Sequence, residues 1–147
     1  LNKHLSLMTD LIFSYGGTLD KFLGDAVMAF FGAPLGQRDH AKQAVKAGLE
    51  MIKAFSGDEQ YLPVGIGIST GEAMVGNIGG GKRLEYTAIG DAVNIAARLQ
   101  ELAGPGEIWA TASVFSAEEE RLAQEWRVIK LRGRESPVRV GLIKGLT

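Results

Sequence analysis

Helical and strand periodicities alternate along this chain in the order α, ββ, α, ββ, α, β, α, ββ, and that order restricts the fold more than any other feature. Leu5, Met8, Leu11, Ile12 and Tyr15 recur at helical spacing, and Gly16-Gly17 ends the helix with a left-handed cap. Thr18 to Leu23 and Ala26 to Phe31 read as two strands joined by the tight turn Gly24-Asp25. After the loop Gly32 to Gly36, Asp39 caps a helix with Ala41, Ala44, Val45, Gly48, Leu49, Ile52 and Phe55 on one stripe. Ser56 to Gln60 is a polar loop. Val64 to Gly71 alternates apolar with small residues, as a strand does when it lies close to another backbone or a ligand. Glu72 to Ile78 reads as a second strand, with Gly79 to Lys82 as a flexible tip. Arg83 to Thr87 leads into a helix over Asp91 to Ala103, which Gly104-Pro105-Gly106 stops. Glu107 to Thr111 reads as a strand and Ala112 to Ala123 as a helix. Val128 to Leu131 and Val138 to Ile143 form a closing hairpin.

Strand pairs interleaved with helices predict an α+β fold, an antiparallel-rich sheet with helices packed on it. A ferredoxin-like core begins β-α-β-β, so the first strand is expected to be missing. There is no internal repeat or second domain boundary, and residues 1–147 read as one domain. The sequence begins at Leu1 inside a helical pattern, which suggests a domain cut from a longer chain.

Composition removes several functions. Net charge is −1, which gives no basic field for nucleic acid or an anionic membrane, so any phosphate site must rest on local charge. There are no cysteines, which excludes disulfides, thiolate metal sites and a Cys nucleophile. His4 and His40 lie far apart and argue against a His-rich zinc site or a Ser-His-Asp triad. No apolar run reaches the length of a membrane span, and the start is not a signal peptide.

Two stretches can carry chemistry. In Tyr86 to Leu99, Asp91, Asn94, Arg98 and Glu101 fall on the face opposite the apolar stripe. An amide and a guanidinium one turn apart can grip one anion; an ordinary surface helix N-capped by Asp91 has the same pattern. In Thr18 to Asp25, a carboxylate after a turn Gly is exposed and rigidly placed, which suits Mg²⁺. Here too a plain turn residue, with Lys21 as a strand cation, is the simpler alternative. Gly71, Gly76, Gly79, Gly80 and Gly81 do not form a P-loop, because no Gly-Lys-Ser/Thr follows at the required spacing. Arg132 and Arg134 can hold phosphate or stand as solvated turn cations. Met28, Phe30, Met51 and Phe55 read as core, and Trp109 and Trp126 carry no readable role.

Asp20-Lys21-Phe22-Leu23-Gly24-Asp25-Ala26-Val27-Met28-Ala29 and Tyr86-Thr87-Ala88-Ile89-Gly90-Asp91-Ala92-Val93-Asn94-Ile95-Ala96-Ala97-Arg98-Leu99 together resemble the class III adenylyl/guanylyl cyclase catalytic domain. Gly65 to Gly71 and Gly76 to Gly79 look like that family's central strands, and Leu131-Arg132-Gly133 through Pro137-Val138 like its closing pair. The resemblance implies conversion of ATP to 3′,5′-cyclic AMP and pyrophosphate for intracellular signalling, by a cytoplasmic domain usually fused to regulatory or membrane segments. It implies that Asp25 binds metal, with two Mg²⁺ or Mn²⁺ ions per site. It further implies that Lys21 and Thr87 contact the purine, that Asn94 and Arg98 orient the ribose and stabilise the reacting phosphate, and that Arg132 binds phosphate. Lys21, rather than a Glu, favours adenine over guanine, and Thr87 is similar to the subgroup containing bicarbonate-responsive enzymes. The family's sites lie between two head-to-tail subunits, so a homodimer is expected. In the mechanism so implied, a two-metal site would activate the attacking hydroxyl and stabilise the leaving phosphate oxygens, and Arg98 and Arg132 would supply preorganised positive charge. The family's other metal-binding Asp, in a Phe-x-Asp-Ile-x-Gly-Phe-like motif, is absent. Asp10 lies on a helix and cannot replace it. The 147 residues alone are therefore expected to be inactive. A guanylyl cyclase, or an inactive cyclase-like module that binds nucleotide or a partner, are the alternatives.

Overall fold

The computed structural model describes residues 2–33, 36, 38–56, 61–79, 85–131 and 136–144. Along these residues run α1 (Asn2–Ser14), β1 (Thr18–Leu23), β2 (Ala26–Phe30), α2 (His40–Ser56), β3 (Ile66–Ile68), β4 (Met74–Ile78) and β5 (Glu85–Ile89). They continue with α3 (Asp91–Leu102), β6 (Glu107–Thr111), β7 (Glu125–Ile129) and β8 (Val138–Lys144). The expected α+β class is observed, with three helices and largely antiparallel strand pairing.

The central sheet has the order β3-β6-β8-β7. Its pairs are antiparallel except β3 with β6, which is parallel. Period-two alternation gives each face of this sheet to a different helix. Ile108 and Ala110 of β6 and Ile143 of β8 pack with Val45 and Ile52 of α2. Trp109 of β6 and Val140 and Leu142 of β8 pack with Ile95 and Leu99 of α3. A third cluster joins Met8 and Ile12 of α1 to Met51 and Phe55 of α2, over Val27 and Ala29 of β2. The stripe read in α2 is largely the buried one, and Trp109 proves to be a core residue.

The small residues of β3 have a specific use. Ile66 and Ile68 point to the α2 side, while Gly67 lies against the backbone of α3. A Cβ on Gly67 would come within 2.2 Å of the Ala96 carbonyl oxygen and 2.5 Å of the Gln100 nitrogen. The close approach expected for this strand is therefore to another backbone.

Two hairpins stand outside the central sheet, β1 with β2 and β4 with β5, each as its own two-stranded ladder. The expected turn Gly24-Asp25 is present, with Leu23 opposite Ala26 and Gly24 at φ +65°. Gly16 takes φ +81° after α1, and the Gly17 N–H bonds back to the Ile12 carbonyl at 2.8 Å, the expected left-handed stop. Before α2, the Asp39 carboxylate accepts a bond from the Gln43 side chain at 2.9 Å, which holds its carboxyl below the ordinary value.

Five sequence expectations need correction. The first strand of the closing hairpin runs over Glu125–Ile129 rather than Val128 to Leu131, its register set by pairing with β8. The stretch Ala112 to Ala123 forms two short 3₁₀ turns, Ala112–Val114 and Glu119–Leu122, not a helix. Val114 and Phe115 are both buried although adjacent, and Phe115 is extended (φ −82°, ψ 131°), which breaks the helical path between them. Arg83 to Thr87 is no simple lead-in: residues from Glu85 pair with β4 as strand β5. Strand β4 begins at Met74 rather than Glu72. Asp91 is the first residue of α3 and not its cap. Gly90 holds the cap position at φ 147° with no side-chain cap bond. A Cβ there would approach the Ala73 Cα and Glu72 oxygen at 3.3 Å, so the entry to α3 passes under β4's leading segment. Asp91 still places a carboxylate in the first turn, where the helix dipole favours it. The expected tip beyond Gly79, most of the loop after Ser56, and Arg132 to Glu135 lie outside the described residues.

Candidate active site

A bulge in β1 builds the first part of the site. Leu19 pairs with Ala29 and Lys21 with Met28, so Asp20 is one residue too many for the ladder. Such a bulge frees a residue from pairing and re-aims its side chain. Asp20 turns towards β5, where its carboxylate accepts the Thr87 hydroxyl at 2.7 and 2.9 Å and the Ala88 N–H at 3.1 Å. The Lys21 ammonium stands 3.7 Å from the same carboxylate. The Asp20 side chain is 1% exposed and that of Lys21 39% exposed, so an open cation sits over a buried acceptor.

Thr87 is 6% exposed and lies opposite Gly76 in the β4–β5 ladder. No side chain from β4 therefore flanks the hydroxyl at that register position. Lys21 and Thr87, distant in sequence, are thus joined through Asp20. Sequence reasoning passed over Asp20. The available signal was a carboxylate inside a strand, next to Lys21.

Asp25 is exposed at the β1–β2 turn. The two-residue turn fixes its backbone, and one exposed carboxylate fits Mg²⁺, which fills its shell with water and substrate phosphate oxygens. Among the described residues no cluster of three or more His, Asp or Glu could hold a metal ion.

Asn94 and Arg98 lie on the exposed side of α3, one turn apart, while Ile95 and Leu99 are buried beneath them. Arg98 donates to Glu101 at 3.2 Å. Its side chain is 60% exposed, and an exposed i,i+3 pair of this kind holds the guanidinium only weakly. No hydrogen bond or ion pair joins Asn94 or Arg98 to Lys21, Asp25 or Thr87 among the described residues. Arg132 lies outside them. A cleft of about 350 Å³ opens at the N-terminus of α3, lined by Ser69, Glu72, Asp91 and Thr111, and none of the expected site residues lines it.

Residues 1–145 match the model of the "Adenylate and Guanylate cyclase catalytic domain" family. The chain belongs to this family. Its fold superposes on the crystal structure of the guanylyl cyclase Cya2 with a TM-score of 0.89, at 35% identity, over 100% of this chain and 79% of Cya2. It superposes on the adenylyl cyclase CyaB from P. aeruginosa with a TM-score of 0.83, at 33% identity, over 99% of this chain and 81% of CyaB. It is also 37% identical to "Uncharacterized protein Rv1318c" of Mycobacterium tuberculosis over 152 residues, all of this chain and 28% of that protein. The cyclase domain thus spans little more than a quarter of this curated relative. No helix among the described residues is long and apolar enough to cross a membrane.

Proposed function

We propose that this domain is the catalytic domain of an adenylyl cyclase, which converts ATP to 3′,5′-cyclic AMP and pyrophosphate between two copies of the chain. The observation that carries the reading is the pairing of Lys21 and Thr87 on the Asp20 carboxylate. It sets an ammonium donor beside a hydroxyl, which matches the mixed donor and acceptor edge of a purine.

The remaining residues supply the phosphate side. Asn94 donates to the ribose, and Arg98 leaves Glu101 for the α-phosphate as negative charge develops there, with Arg132 as a second phosphate cation. Preorganised positive charge of this kind stabilises the transition state more than the ground state. Asp25 holds Mg²⁺ or Mn²⁺ at its exposed turn. When bound, the metal neutralises phosphate charge and makes the attacking hydroxyl more acidic. Asp25 at a hairpin turn and Arg98 on a helix face share no contact within one chain, which supports a site completed by the partner of a C2 homodimer. The 147 residues contain one of the two expected metal carboxylates, so by themselves they are expected to yield no cyclic nucleotide.

A guanylyl cyclase is the second reading, favoured by the likeness to Cya2. Initial rates of the parent protein with ATP and with GTP, each with Mg²⁺ and with Mn²⁺, separate the two. Preference for GTP would replace the first reading with the second, and no cyclic product from either nucleotide would remove both.

A further inference from the structure

We propose that Asp20 is a positioning residue that fixes the hydrogen-bond polarity of Thr87, so that the site accepts a 6-amino purine and rejects a 6-oxo purine. The proposal rests on the adenylyl cyclase reading and adds to it the residue that makes a threonine selective.

A threonine hydroxyl alone is a poor discriminator. It can accept a bond from an exocyclic amino group or donate one to a keto oxygen. Here its proton is already committed. The Asp20 carboxylate is buried, accepts only, and lies 2.7 and 2.9 Å from the hydroxyl oxygen. The Thr87 proton points into that carboxylate, and the oxygen can offer a ligand only lone pairs. The Ala88 N–H, at 3.1 Å, anchors the same carboxylate and keeps it from swinging away. The bulge at Asp20 makes this possible, because the register leaves Asp20 without a partner in β2.

The resulting pair is a fixed acceptor, Thr87, beside a fixed donor, the Lys21 ammonium. Adenine presents the complement, an N6 amino donor next to the N1 acceptor. A 6-oxo purine presents O6 as acceptor and N1–H as donor, so each contact is reversed. Two opposed acceptors leave both without a bond, the costly case for recognition.

The test uses the parent protein and compares kcat/KM for ATP, for purine riboside triphosphate, which has no 6-substituent, and for inosine triphosphate, which has a 6-oxo group without guanine's 2-amino group. The wild type is expected to use inosine triphosphate at least about tenfold less well than purine riboside triphosphate. Asp20→Asn keeps the shape but can donate to the Thr87 oxygen and turn its proton outward. It is expected to narrow the ATP-to-inosine-triphosphate ratio by about tenfold or more. Thr87→Val should narrow the ratio similarly, and the double variant no further, because both act through one hydroxyl. A role limited to tying β1 to β5 would lower both nucleotides alike, and an unchanged ratio in Asp20→Asn overturns the proposal. If Asp20→Asn does not fold, equal use of inosine and purine riboside triphosphates by the wild type overturns it instead. A wild type that prefers GTP to ATP overturns the adenylyl cyclase reading itself, an outcome distinct from ATP preference that Asp20→Asn leaves intact.

Discussion

Asp25 and Arg98 are both exposed, so each can be altered without disturbing the packed interior. Asp25→Asn keeps the turn geometry and removes the charge. In the parent protein it should lower turnover on the order of a hundredfold. The melting temperature should hold, since surface changes of this kind move stability by about 0.5 kcal/mol or less. Rates against Mg²⁺ concentration, with a thermal melt alongside, check this; a fully active variant would remove Asp25 from the metal site. Among the described residues Arg98 has Glu101 as its partner at 3.2 Å, an exposed pair of little energetic value. Arg98→Ala should therefore reduce kcat about a hundred- to a thousandfold and change KM much less. Equal changes in kcat and KM would mark Arg98 as a residue that binds ATP rather than one that stabilises the transition state.

At the scale of elements, the position of Arg98 depends on how closely β3 carries α3. Gly67 lets the two backbones meet, and any side chain there collides with the Ala96 carbonyl oxygen at 2.2 Å. Neither partner is a flexible side chain, so the clash is relieved only by moving the helix. Gly67→Ala is expected to cost about 1–3 kcal/mol or more, read as a lower urea midpoint. It should lower cyclase activity as well, because α3 carries Asn94 and Arg98 together. A variant as stable as the wild type would mean that α3 can slide on β3 at little cost. The β1 bulge works in the opposite sense. It leaves the hairpin paired on either side of Asp20 and changes the aim of one carboxylate.

At the scale of the whole molecule, no hydrogen bond or ion pair joins the Asp25 turn to the Asn94 and Arg98 face of α3 among the described residues, and the proposed homodimer would bring the two together. In such a dimer, Asp25→Asn and Arg98→Ala are defects of different subunits at each site. Mixing the two inactive variants of the parent protein should restore activity, to about a quarter of wild type at equal amounts, since half of the dimers regain one of two sites. Mixtures as inactive as their components would show that each site draws Asp25 and Arg98 from a single chain.

The amino-acid sequence determined where α1, α2 and α3 lie, and which of their faces are apolar. It also determined the Gly24-Asp25 turn and a close approach to the strand around Gly67, which the structure shows to be that of a backbone. These follow from periodicity and from glycine's lack of a side chain, which are local properties. Two motifs read together also carried the family. The sequence misled where local signals were overruled by packing. The stretch from Ala112 was broken because Val114 and Phe115 both enter the core, and the cap position of α3 falls on Gly90, where the backbone takes φ +147° and the segment before β4 leaves little room for a side chain. Only the tertiary structure decided the role of Asp20. A one-residue excess in β1 is visible only once β2 sets the register, and Thr87 becomes its partner only when β5 is laid beside the bulge. The physical reason is that a carboxylate's partners are chosen by what the fold brings within about 3 Å, a distance that spacing along the chain does not encode.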